Sequence, residues 1–258
     1  MKNKSTIIII AIIVIIAISA IAIIAFSGND SDKNTEENTT SSPKKNNSKK
    51  EENKEKSYAS AAEKQMSMPE KGETIAIMHV KDYGDITFKF FEDVAPKAVE
   101  NFLTHAKEGY YDGLTFHRVM NEFMIQGGDP LGTGAGGESI WGEGFDTELD
   151  TYTVPYRGSL CMAKSSLPKS IGSQFFITQS HFNEKEKDYF TAYGLSDELW
   201  ETYKKYGGDI LDLYMQYTVF GQVVEGMDVV DKIAAVETGA NNKPITDVII
   251  ESIDVTEY

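Results

Sequence analysis

From Thr74 onward the apolar residues come in short runs broken by glycines and polar turns, and this spacing constrains the fold more than any other feature. TIAIMHV (Thr74 to Val80) and DITFKF (Asp85 to Phe90) are β-type runs separated by Lys81 to Gly84, which reads as a hairpin. SLCMA (159–163), QFFIT (174–178) and TVFGQVV (218–224) follow, and a last strand is predicted near Asp247 to Val255. Pro96 sits where a first helical turn tolerates it. Val99, Phe102, Leu103 and Ala106 recur at helical spacing and Gly109 is a natural stop, so a helix follows the hairpin. A second, short helix is predicted around Met227 to Ala235. Strands alternating with helices in βαβ order are missing. The pattern predicts a mainly β domain, a closed or nearly closed antiparallel structure capped by two helices.

One stretch interrupts it. Residues 183–212 are polar and ill suited to a strand. Ser196 is placed to cap a helix whose first turn holds Asp197 and Glu198, whose last turn holds Lys204 and Lys205, and which stops at Gly207. This segment reads as an inserted surface helix.

Ahead of the domain the composition is different. Ile7 to Phe26 is a run of 20 residues without a charge, preceded by Lys2 and Lys4. As a helix it would span about 30 Å, the thickness of a bilayer's hydrocarbon core. A cleaved signal peptide has a shorter apolar region, although Ala25-Phe26-Ser27 offers a cleavage site. No cysteine follows the run, which excludes a lipoprotein. Residues 1–26 therefore read as an uncleaved membrane anchor, with the lysines cytoplasmic and everything after Ser27 outside the cytoplasm. Residues 27–73 are rich in Asn, Ser, Thr, Lys and Glu and are expected to be a disordered tether with a reach of roughly 35 to 40 Å. Asn29, Asn38 and Asn46 stand in N-x-[ST] sequons.

Charge and motifs exclude several function classes. From Thr74 the chain has 14 Lys and Arg against 30 Asp and Glu, the wrong sign for nucleic acid. Cys161 is the single cysteine, so no intrachain disulfide forms; it reads as a buried structural thiol. GTGAGG (132–137) matches a dinucleotide-binding spacing, but the following ESIWGEGFDTE carries no helical stripe, so a plain glycine loop is expected. His79, His105, His117 and His181 form no metal spacing, and Ser173 is not in a nucleophile elbow. No metal and no cofactor is expected.

GLTFHRVMNEFMIQGGDP (113–130) surrounds one arginine and one glutamine with Phe and Met. Together with Gly136 to Ile140, Gly172 to Ile177, Val219-Phe220-Gly221 and Glu225 to Val230, it resembles the cyclophilin family of peptidyl-prolyl isomerases. Counting Phe116 to Val119 and Phe123 to Asp129 as separate segments of the first stretch, six in register lie within a resemblance that covers about Thr74 to Val255. The resemblance implies a closed eight-stranded antiparallel β-barrel with two capping helices in residues 74–258, carrying a shallow groove on its outer face. It implies catalysis by Arg118, Gln126 and Phe123, and substrate binding by His117, Met124, Ala163, Gln174, Phe176, Leu213 and Tyr217. His117 is expected to be mainly structural, oriented by hydrogen bonds.

The residue types suit the chemistry. An X-Pro bond prefers trans by only about 0.5 to 1 kcal/mol but crosses a barrier of roughly 18 to 20 kcal/mol set by amide resonance. At the twisted transition state the prolyl nitrogen regains a lone pair and accepts a hydrogen bond. A guanidinium aimed there stabilises the transition state selectively, while apolar side chains seat the ring. The chain departs from the family where Lys164 follows Met162-Ala163 in place of an asparagine. Before Val219, Tyr217 replaces a histidine, Leu213 or Leu211 supplies a leucine, and no tryptophan is present, which predicts weak cyclosporin binding. The expected partners are proline-containing polypeptides and, through residues 7–26, a membrane. The chain is expected to act as a monomer that isomerises X-Pro bonds in secreted or surface proteins. The alternative is a catalytically weak proline-peptide binding or holdase module.

Overall fold

In the strand Met124–Gly127 the side chains alternate between two destinations. Ile125 belongs to the central apolar core, whereas Met124 packs in a separate apolar cluster with Phe176 and Leu213. That period of two, repeated in neighbouring strands, gives the sheet an inner face that closes around the core and an outer face that carries a groove.

The computed structural model describes residues 56–258. Its elements in chain order are α1 (Tyr58–Met66), β1 (Thr74–Val80), β2 (Gly84–Phe90), α2 (Pro96–Lys107), β3 (Arg118–Met120), β4 (Met124–Gly127), β5 (Ser159–Met162) and β6 (Phe175–Thr178). Then come α3 (Lys187–Ala192), α4 (Asp197–Tyr206), α5 (Ile210–Leu213), β7 (Val219–Glu225), α6 (Met227–Ala234) and β8 (Ile250–Glu257). The apolar run at 7–26, the sequons and residues 27–55 of the expected tether lie outside the described residues. Among the described residues no helix is long and apolar enough to cross a membrane.

The eight strands form one curled antiparallel sheet in the order β3-β4-β6-β5-β7-β2-β1-β8. The predicted closure is only partly realised as strand pairing. β3 is three residues long and forms no ladder with β8. The gap is spanned instead by the segment ahead of β3: Gly113 N donates to Ile250 O at 2.8 Å, Ile250 N to Leu114 O at 2.8 Å and Phe116 N to Val248 O at 3.0 Å. The core inside the curl centres on Phe88, Phe102, Tyr111, Phe116, Phe175 and Phe220, and α2 and α6 cover it with Val99, Phe102, Val230 and Ile233.

Two expectations are corrected here. The tether does not extend to residue 73, because Tyr58–Met66 is helical. Ser57 and Ser60 form a reciprocal capping box at its start. Ala62 and Gln65 are buried, and Gln65 Nε2 donates to Val154 O at 2.7 Å and to Gln222 Oε1 at 3.2 Å. At the other end Lys89 Nζ donates to Lys64 O at 2.8 Å and Ser67 O at 2.7 Å, a cation on the negative end of the helix. Composition suggested disorder because this helix fully buries only Ala62 and Gln65, too little apolar surface to show as a stripe. The inserted segment, for its part, is more than one helix on the surface. Ser196 and Gly207 cap α4 as predicted, but α3, α4 and α5 pack with α1 around Phe190, Trp200, Tyr203 and Ile210 into a second small core.

Candidate functional site

Arg118 opens β3 and Gln126 lies opposite it in β4. Arg118 Nη1 donates to Gln126 Oε1 at 3.3 Å, its Nη2 contacts Met120 Sδ at 3.1 Å, and its Cζ lies 5.8 Å from the centre of the Phe123 ring. Among the described residues no carboxylate pairs with Arg118. Two of its five donors are engaged, so most of the fork faces the groove.

Gln126 is fixed from behind. Its Nε2 donates to Gln174 Oε1 at 3.0 Å, and Gln174 Nε2 donates to Gly136 O at 2.7 Å. Arginine at one end has only donors and a carbonyl at the other only accepts, so the orientation of both glutamine amides is determined. Gln174 does not line the groove; it holds Gln126.

The floor is apolar. Met124 and Phe176 are buried on the outward side of β4 and β6, Leu213 comes from α5, and Ala163 follows β5. The Phe176 ring meets Tyr217 edge-on at 5.5 Å. Leu213, and not Leu211, belongs to the groove: Leu211 packs in the second core. Cys161 lies beneath this floor, fully buried, and burial pushes its thiol well above the usual range, as suits a structural residue.

The groove encloses about 790 Å³ and is lined by Arg118, Gln126, Phe123, His117, Met124, Ala163, Phe176, Leu213 and Tyr217, nine of the ten residues named from sequence. Sequence reasoning missed Lys164, the loop 132–134 and the turn 240–243, which also line it. The last had a faint signal, since Asn241-Asn242 supplies two left-handed residues (φ 59° and 58°), but nothing local places that turn beside β3.

His117 is 6 % exposed, and neither ring nitrogen has a hydrogen-bond partner among the described residues, so it is not held by the bonds expected of it. Burial lowers its pKa. Packing, including its position beside Gly134, holds the ring. The glycine loop is organised from within. Asp129 accepts from the backbone N–H groups of Leu131 (2.8 Å), Thr133 (2.9 Å) and Gly134 (2.6 Å). Burial would raise that carboxyl's pKa, but these donors hold it below the usual range. The loop's anion-binding donors are thus occupied by the chain's own carboxylate, which leaves no cradle for a phosphate. Gly136 is required there because a Cβ would collide with the Asp129 carboxylate.

Comparison with known proteins agrees with this geometry. Residues 75–255 match the family model described as cyclophilin type peptidyl-prolyl cis-trans isomerase/CLD. Proteins of Staphylococcus aureus (strain COL) and Staphylococcus epidermidis (strain ATCC 12228) that carry the name peptidyl-prolyl cis-trans isomerase are each 47 % identical over 189 residues, covering 73 % of this chain and 94 % of theirs. The crystal structure of a Cryptosporidium parvum cyclophilin type peptidyl-prolyl cis-trans isomerase, determined in the presence of the dipeptide Ala-Pro, superimposes with a TM-score of 0.58. It is 32 % identical and covers 71 % of this chain and 99 % of that one. With a family match over nearly all of the described domain and a groove built from the motif residues, the chain belongs to the cyclophilin-type peptidyl-prolyl cis-trans isomerases.

Proposed function

We propose that the chain lowers the rotation barrier of X-Pro bonds in secreted or surface polypeptides, with Arg118 as the catalytic donor to the prolyl nitrogen. The observation that carries this reading is an arginine with no carboxylate partner among the described residues, held by Gln126 above an apolar floor. An ion-paired arginine would have its charge neutralised in the ground state; this one keeps it for the lone pair that appears only at the transition state. Met124, Phe176 and Leu213 seat the ring, and burying its three methylenes contributes about 2 kcal/mol of binding. Phe123 lies against the guanidinium and restricts its swing. Ala163 and Tyr217 close the wall on the far side.

The second half of the proposal is location. An uncharged run at 7–26 preceded by Lys2 and Lys4 supports a single-pass anchor with the domain outside the cytoplasm. Resistance of the full-length chain to alkaline extraction from membranes, together with digestion of the domain by protease added to intact cells, is the expected result; a soluble or protected domain would overturn it. For the chemistry, exchange spectroscopy on an Ala-Pro peptide measures cis-trans rotation without a coupling protease. Acceleration far above the spontaneous rate is expected. Peptide binding without acceleration would instead favour a binding module.

A further inference from the structure

The groove has the opposite charge to the domain that carries it. Acidic residues outnumber basic ones by 30 to 14 from Thr74 onward, yet the lining includes Arg118, Lys164 and Lys243 and no Asp or Glu. These cations come from three separate parts of the chain: the first residue of β3, the segment after β5, and the turn at 240–243. Their convergence is a tertiary feature and not a local basic run.

Lys164 and Lys243 are both available. Among the described residues neither forms an ion pair. Lys164 is half-buried, and its Nζ lies 5.0 Å from the centre of the Tyr217 ring, which holds the ammonium against the groove wall. Lys243 approaches from the His117 side. Burial lowers the His117 pKa, Asp129 partly offsets this, and Arg118 and Lys243 lower it further, so both cations act on the same ring. Asp129, the carboxylate that acts on His117, is 1 % exposed and occupied by backbone donors. It does not neutralise the rim.

We propose that the groove selects X-Pro segments with a carboxylate side chain next to the proline, with Lys164 and Lys243 as the selecting residues. This rests on the isomerase reading of the same site. Arg118 is directed at the prolyl nitrogen, so the two lysines are the charges left to read flanking residues. The domain's overall negative charge opposes acidic peptides at long range, but beyond about 8 Å it is screened at physiological salt, whereas contacts inside the groove are not. The selection is therefore local. It acts on the residues next to the proline and not on the net charge of the substrate.

The test uses the full-length chain and two peptide series, one varying the residue before the proline and one the residue after it, with Glu, Gln or Lys in turn. Rotation rate and affinity are measured separately. In at least one series the Glu peptide is expected to exceed the Gln peptide by about 3- to 10-fold, with the Lys peptide weakest. That ratio is expected to shrink toward one in about 1 M salt, where the screening length falls to about 3 Å. Lys164→Gln combined with Lys243→Gln is expected to bring the Glu/Gln ratio close to one; because both peptides are measured on the same protein, partial loss of folding cannot imitate that change. Equal affinities and rates for Glu, Gln and Lys in both series overturn the proposal while leaving an active isomerase. A Glu preference in affinity without turnover of any peptide overturns the isomerase reading and leaves the selection standing.

Discussion

Arg118 and Gln126 are direct register partners across β3 and β4, and their side chains meet on the outer face of the sheet with Arg118 Nη1 donating to Gln126 Oε1 at 3.3 Å. The pairing converts strand register into the aim of the guanidinium proposed as the catalytic donor. Arg118→Lys keeps the charge and loses the fork, so kcat/KM is expected to fall by about 10²-fold or more, with peptide affinity changed by less than about 5-fold. Exchange spectroscopy for the rate and titration for the affinity check this; a parallel loss of both would assign Arg118 to binding alone.

Gln174 does not line the groove, yet its two hydrogen bonds determine which way the Gln126 amide points. In Gln174→Leu the Gln126 amide loses that support, and Arg118 loses its fixed partner. The expected effect is a roughly 5- to 10-fold fall in kcat with KM nearly unchanged. Gln174→Glu should restore part of the rate, since a carboxylate still accepts from Gln126 Nε2. Rescue failing in that variant would make Gln174 a packing residue.

Removing the amide of Gln65 takes one donor from each of Val154 O and Gln222 Oε1 and leaves Val154 N without the Gln65 Oε1 acceptor it has at 3.2 Å, all in a buried site. Gln65→Ala should cost about 2 kcal/mol, which for a domain of this size lowers Tm by roughly 4 to 8 °C. Thermal melts followed by circular dichroism would show it. An unchanged Tm would mean that α1 contributes nothing to the fold.

His79 Nδ1 lies 2.8 Å from Asp85 Oδ1, and its Nε2 lies 3.3 Å from Asp254 Oδ2. The bond to Asp85 raises its pKa, burial works against this, and Asp254 adds to the rise. A histidine with a raised folded-state pKa stabilises the fold fully below its unfolded value of about 6.5 and loses that contribution as pH rises through the folded value. The carboxylates are well exposed, so the gain is small, about 1 kcal/mol at most. His79→Gln should therefore lower Tm by roughly 2 to 4 °C at pH 5.5 and leave it unchanged at pH 9. The reverse dependence would show that the imidazole is neutral in the folded protein.

What was legible in the sequence was whatever depends on local pattern. β1, β2, α2 and the cap of α4 at Ser196 were readable because period-two and period-three-to-four apolar spacing and capping chemistry are written within a few residues. Nine of the ten candidate residues line the groove because the resemblance named them; Arg118, Met124, Gln126 and Phe176 stand on strands, and the others on segments beside them. α1 was not legible: its buried contacts are Ala62 and a glutamine, and the partners of that glutamine lie 89 and 157 residues away. The same applies to Lys164 and the 240–243 turn, whose place at the rim depends on how distant elements come together. Sequence also could not decide between Leu211 and Leu213, which are two positions apart and enter different apolar clusters.

The two-sided strands leave the groove open to redesign. Outward positions such as Met124, Gln126 and Phe176 line the groove, while inward neighbours such as Ile125, Phe175 and Ile177 hold the shell. The two sets interleave along the chain and share almost no packing, so a library restricted to outward codons could explore new specificities on an inherited scaffold. A single-residue deletion in β4 does the opposite. It exchanges the two sets at once, driving a glutamine into oil and an isoleucine into water.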